Sequence, residues 1–198
     1  MTNNFELFKE YLQTNFPDFD KKSDSYFVIE IVRRGKDNPD MPAANYHFKN
    51  YYINKMSDVD KFQDEIIKIC DVLKMRAYFS VGRKSYHQVT LNTASEFTRR
   101  ISLHDHKKPQ TIYESCSGRY VDKSDKRWVI DFDEGQDPDD YIDLIGKEKI
   151  IFRIPTKSGV HLITRPFRRD EFFEKCEEYD LKKPDIKQNH ISLLYESI

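Results

Sequence analysis

The sequence predicts an α+β protein, on three observations. Short runs rich in Val, Ile, Phe and Tyr alternate with longer stretches whose apolar residues recur every three to four positions. From residue 127 onward the order of these runs is β-α-β-β-α-β. A polar stretch over 104–125 separates that half from an N-terminal α/β unit.

Residues 4–15 set Phe5, Phe8, Tyr11 and Leu12 on one face of a short helix. Residues 26–33 (YFVIEIVR) and 47–53 read as strands. Between them, Gly35, Asn38, Pro39 and Pro42 mark 34–45 as a loop. Ser57 is the expected N-cap of a helix to residue 74, with Val59, Phe62, Ile66, Ile69, Cys70 and Leu73 facing the core. A strand over 76–81 and a helix over 85–103 complete the N-terminal unit, 1–110. Residues 111–126 are the expected connection.

The second unit, 127–198, opens with a strand at 127–133 (RWVIDFD). A helix over 138–146 follows, with Pro138 in its first turn. Then come a strand at 149–154, a tight turn at Lys157-Ser158-Gly159, a strand at 160–164, a helix at 168–179 and a final strand at 191–196. This order is ferredoxin-like, or RNA-recognition-motif-like (RRM-like). The two units packed together are compatible with one compact domain. In such a sheet the first strand lies between the third and fourth, antiparallel to both. The end of the first strand then meets the starts of the other two.

Composition bounds the function. The 198 residues are 38% hydrophobic, enough for a core, and the net charge of −1 gives no global signal for nucleic acid. The charge is segregated, however. Arg33, Arg34 and Lys36 cluster, as do Lys123, Lys126 and Arg127, and then Arg165, Arg168 and Arg169, whereas acids crowd 131–143. Cys70, Cys116 and Cys176 form no CxxC, which argues against a zinc ribbon or a disulfide framework and fits a reducing cytoplasm. No secretory signal and no membrane span are expected.

Asp131 and Asp133, spaced i, i+2, point to one sheet face. Two close carboxylates repel unless a cation or proton intervenes, and hard oxygen donors suit Mg²⁺ or Mn²⁺. His161 with Ser158 should open the third strand beside them, close enough to share that cation. Lys157, the Ser158 hydroxyl and the backbone around Gly159 can meet a phosphate. Asp185 ranks first as a third carboxylate. Trp128, Phe132 and Phe152 read as core rather than as a base-stacking platform. Arg76, Arg83 and Lys84 either line a template groove or form an exposed basic edge.

The strand Val129-Ile130-Asp131-Phe132-Asp133 and the turn Ser158-Gly159-Val160-His161 together resemble the archaeo-eukaryotic primase (AEP) superfamily. The stretch Thr156–Phe167 is similar to its phage and plasmid primase-polymerase members. The likeness covers 127–167 and weakens toward the end of the chain. It implies a primase-like catalytic core, a two-metal nucleotidyltransferase of DNA replication. Asp131, Asp133 and Asp185 would bind Mg²⁺ or Mn²⁺. Lys157, Ser158, Gly159, His161, Arg153 and Arg165 would take the phosphates of a nucleoside triphosphate. The implied partners are single-stranded DNA or RNA and a helicase or primase accessory protein. The sequence departs from the family in two places: the turn is SxxH rather than SxH, and the last strand carries no aspartate. A catalytically degenerate nucleotide- or nucleic-acid-binding protein and a metal-dependent nuclease are the alternatives.

Overall fold

The computed structural model describes residues 1–21, 24–35, 45–188 and 190–197. Lys36, Asn38, Pro39 and Pro42 of the expected loop lie outside the described residues. The described chain is α+β, with two antiparallel sheets and six α-helices.

In the first sheet, β2 (Ser25–Arg33) is central. It pairs antiparallel with β3 (Tyr46–Ile53) and β4 (Arg76–Ser80), and its start pairs with the short β5 (Lys84–Ser85). Its alternation explains its continuous apolar run, because both of its faces are covered. Phe27, Ile29 and Ile31 face the main core, whereas Tyr26 and Val28 face a smaller cluster with Val89, Ile112 and Cys116. That cluster lies beneath α3 (Tyr86–Ser102) and α4 (Pro109–Arg119). The polar stretch expected to be a connection therefore contains a helix, anchored by Ile112 and Cys116 on a pattern too sparse to show periodicity.

Helix α1 (Phe5–Asn15) buries Phe5, Phe8, Tyr11 and Leu12 completely, and the Phe8 ring lies 4.4 Å from that of Phe79. Helix α2 (Met56–Leu73) begins one residue before the expected cap. Ser57 is inside it, and the Asp58 carboxylate accepts hydrogen bonds from the backbone N–H groups of Asn54 (2.8 Å) and Lys55 (3.2 Å).

The second sheet holds β6 (Trp128–Phe132), β7 (Ile150–Pro155), β8 (Val160–Thr164) and β9 (Asp185–Gln188), in the order β7-β8-β6-β9. A 3₁₀ turn at Pro138–Tyr141 and the one-turn α5 (Ile142–Ile145) replace the longer expected helix. The second crossover is α6 (Arg169–Glu178). Strand β6 is central, as the β-α-β-β-α-β order requires.

Its fourth strand is not the one expected. The β-α-β-β-α-β order predicts 191–196 as the fourth strand of this sheet, but β10 (Ile191–Glu196) lies in the first sheet between β4 and β1 (Thr2–Asn3). Burial explains the swap. The run ISLLYE is buried at five of its six positions, as a strand with neighbours on both sides requires, whereas DIKQ is half exposed and suits an edge. The return of β10 binds the two halves together. Val129, Ile154 and Ile163 of the second sheet share one core with Phe8, Phe79 and Leu194. The opposite face packs Ile130, Phe132 and Leu162 against Tyr141, Phe172 and Cys176. Phe132 is thus core, as is Trp128 beside Phe167. All three cysteines are free and buried. No helix among the described residues is long and apolar enough to cross a membrane.

Candidate functional site

Arg127, Val129 and Asp131 alternate onto one face of β6, the face turned toward the first sheet. Val129 is sealed in the core. Asp131, two residues further on, emerges at the mouth of the crevice between the sheets, in a pocket of about 350 Å³. One wall is Asp131, Phe132 and Asp133. The β7–β8 turn contributes Thr156, Lys157 and Ser158, and β8 contributes His161. The first sheet supplies Arg34, Arg76, Tyr78 and Leu193.

Register brings the distant residues together. Asp131 is directly opposite His161 on one side and Asp185 on the other. His161 Nε2 lies 3.3 Å from Asp131 Oδ1, and Nδ1 is hydrogen-bonded to Ser192 Oγ at 3.0 Å. Ser192 is fully buried on β10, so the first sheet orients the imidazole of the second. Lys187 Nζ donates to Asp131 Oδ2 at 3.1 Å and lies 3.3 Å from Asp185 Oδ2. The hydrogen bond from His161 holds the Asp131 carboxyl well below the usual carboxylate range; Lys187 adds to this, and partial burial opposes it. Asp133 is different: its side chain is 72% exposed, and it pairs with Lys182 at 3.7 Å.

The turn that carries Lys157 and Ser158 is closed by the Thr156 N–H donating to Gly159 O at 2.9 Å. A Cβ on residue 159 would stand 1.9 Å from the Phe132 carbonyl oxygen. Glycine is required there by the close approach of two backbones, and that approach holds the turn against the end of β6.

On the far wall, Arg76 pairs with Glu196 at 2.8 Å, and the guanidinium groups of Arg34 and Arg76 stand close to the Tyr78 hydroxyl. Burial raises the Tyr78 pKa while the two guanidinium groups oppose the rise. The second oxygen of Glu196 is buried without a hydrogen-bond partner among the described residues.

The structure gathers Asp131, Asp133, Lys157, Ser158 and His161 around one pocket, with Gly159 beneath the turn. Arg76 joins them, as a wall of this pocket rather than of a separate groove. The others lie elsewhere. Asp185 is outside the pocket lining, mostly exposed and occupied by Lys187. Arg153 pairs with Leu162, so it points to the opposite sheet face, where it meets Asp139. Arg165 follows the far end of β8, beyond Thr164 and its partner Trp128. Arg83 pairs with Asp18 at 3.3 Å. Arg34, Tyr78, Lys187 and Ser192 were not foreseen. Only Arg34 carried a signal, as part of a basic cluster.

Lys84 is neither groove nor edge. It is 6% exposed, and its ammonium donates to the Tyr120 carbonyl at 3.1 Å. Burial brings its pKa down to about 8. The folded state therefore holds fewer protons than the unfolded state between about pH 8 and the free-lysine value, and stability rises with pH across that window. Below it, the full penalty of a buried charge applies. At about 1.4 kcal/mol per unit, less about 1 kcal/mol for the lost hydrogen bond, Lys84→Met is expected to be about 2.5 kcal/mol more stable than wild type at pH 7. That gap should narrow as pH rises from 8 to 10.5. Urea melts at a series of pH values check this, and a gap that stays constant would contradict it.

No family model, characterised protein or solved structure matches this chain.

Proposed function

We propose that the chain is the catalytic core of a primase-polymerase-like nucleotidyltransferase that incorporates nucleotides on a single-stranded nucleic-acid template. One observation carries the reading: two carboxylates, Asp131 and Asp133, face the same pocket as Lys157, Ser158, His161, Arg34 and Arg76. Acid on one wall and cations on the others is what a triphosphate and its counter-ion need together. A β-α-β-β-α-β unit packed on a second α/β sheet agrees with the resemblance of 127–167 to the archaeo-eukaryotic primases.

The donor set bears on the ion. Among the described residues no group of three or more His, Cys, Asp or Glu side chains is arranged to hold a metal. Mg²⁺ in phosphate-transfer sites is bound by one or two carboxylates together with substrate phosphates and water, not by an all-protein cage. Asp131 and Asp133 fit an ion that arrives with a triphosphate and would be its protein ligands. When bound, such an ion neutralises phosphate charge and lowers the pKa of an attacking hydroxyl.

The protein's own groups do the positioning. Lys157, Arg34 and Arg76 attract the phosphates, and the Ser158 hydroxyl donates to a phosphate oxygen. His161, held through Nδ1 by Ser192, keeps Asp131 ionised and aimed. The 3′-hydroxyl of the growing strand attacks the α-phosphorus, its proton leaves to solvent or a carboxylate, and pyrophosphate departs. A helicase or accessory subunit would deliver the template.

The test is incubation with labelled nucleotides, Mn²⁺ and a primed single-stranded DNA. Losing several kcal/mol of charge stabilisation predicts that Asp131→Ala/Asp133→Ala falls by roughly a hundredfold or more in incorporation. Incorporation that survives the double substitution refutes the reading. Nucleotide binding with no incorporation by wild type would favour a degenerate binding protein, and strand cleavage a nuclease.

A further inference from the structure

A second concavity, of about 520 Å³, opens at the other end of β6, where Arg127 and the residue after β8, Arg165, come together. Arg127 and Asp131 share a face four residues apart, so the two sites are separated by about 13 Å along the strand. Five cations line the concavity: Arg83, Lys123, Lys126, Arg127 and Arg165. Only two carboxylates, Asp18 and Asp125, face them. They come from separate stretches of a chain whose net charge is −1.

The five divide into two sets. Arg83 and Arg127 form a fixed floor. Arg83 pairs with Asp18. Arg127 pairs with Asp125 at 3.0 Å, donates to the Tyr11 hydroxyl at 2.8 Å and stacks 4.1 Å from the centre of the Phe16 ring. Lys123, Lys126 and Arg165 are exposed and form no ion pair among the described residues. Three uncompensated cations above a rigid, ion-paired floor make a site for a chain of phosphates. A single phosphate is better held in a closed pocket with converging donors.

We propose that this groove binds the phosphodiester backbone of a single-stranded nucleic acid. The proposal deepens the nucleotidyltransferase reading, since it names where the template is held. The one aromatic ring lining it, Phe16, is already covered by Arg127, so no base can stack there. Binding should be insensitive to base sequence and steeply dependent on salt.

The test is fluorescence anisotropy with a labelled oligothymidylate, in chelator and without nucleotide, over a range of salt. The wild type is compared with Lys123→Gln/Lys126→Gln/Arg165→Gln and with the Glu triple variant. Each single-strand phosphate contact contributes roughly 0.7 to the slope of log affinity against log salt. The Gln triple variant should lose about 2 from the slope and at least about tenfold in affinity near 0.1 M salt. Oligoadenylate should behave like oligothymidylate. Unchanged slope and affinity in both triple variants overturns the proposal, as does binding of free triphosphate but not of the oligonucleotide. Because the assay holds neither nucleotide nor metal, failed incorporation with intact, groove-dependent binding removes only the catalytic reading.

Discussion

Gly159→Ala is expected to displace the β7–β8 turn and to destabilise the protein by about 2–4 kcal/mol, more than most single substitutions do. The added methyl would stand 1.9 Å from the Phe132 carbonyl oxygen, 3.0 Å from its carbon and 3.3 Å from the Asp133 carbonyl carbon. All three are backbone atoms at the end of the central strand, so no side chain can rotate away. Either β8 moves off β6 or the turn opens, and in both cases Lys157 and Ser158 leave the pocket. For a chain of this length the melting temperature should fall by roughly 5–10 °C. Triphosphate binding should weaken with it. Gly118→Ala is the control: it sits in helix α4 with nothing within 4 Å of the added Cβ. There alanine should be neutral or stabilising by about 0.5–1 kcal/mol. If the two variants melt together, the close approach of the backbones is not what fixes the turn.

That turn shows what the sequence could reveal. Asp131, Asp133, Ser158 and His161 sit at the ends of strongly apolar strands, so strand periodicity located them and the strand order of the unit brought them together. The last two strands escaped. Residues 185–188 hold a single apolar residue, Ile186, too little to mark a strand. ISLLYE was visible as a strand but carries no mark of which sheet will claim it. Its assignment depends on burial of both faces, a property of the assembled core. The pocket's far wall was illegible for the same reason. Arg34, Tyr78 and Ser192 reach the site only because β10 returns to the first sheet and presses it against the second. Charge clusters misled where they ignored the sheet face. Arg153 has the right sign on the wrong side of β7, and Lys84 is charged in composition yet buried in place.

Lys187→Met is expected to raise the affinity for Mn²⁺ by about tenfold or more, and the reason reaches to the third carboxylate. In the family that 127–167 resembles, three acids would surround the ions. Here the ammonium of Lys187 stands between two of them, 3.1 Å from Asp131 and 3.3 Å from Asp185. A built-in cation thus neutralises the pair that a metal would otherwise neutralise. To bind Asp131 an ion must break a charge-assisted hydrogen bond worth about 1.5–3 kcal/mol when buried. The pair is partly exposed, which reduces that figure to about 1.4 kcal/mol, one power of ten in affinity. Removing the ammonium also leaves Asp131, Asp133 and Asp185 repelling one another, which favours a divalent ion further. Titration followed by the electron paramagnetic resonance signal of free Mn²⁺ measures this without any catalytic step. Lys187→Arg, which keeps the charge, should bind as weakly as wild type. Should the Met variant bind Mn²⁺ no better than wild type, Lys187 is not the competitor. The carboxylates would then depend on substrate phosphates alone to complete an ion site.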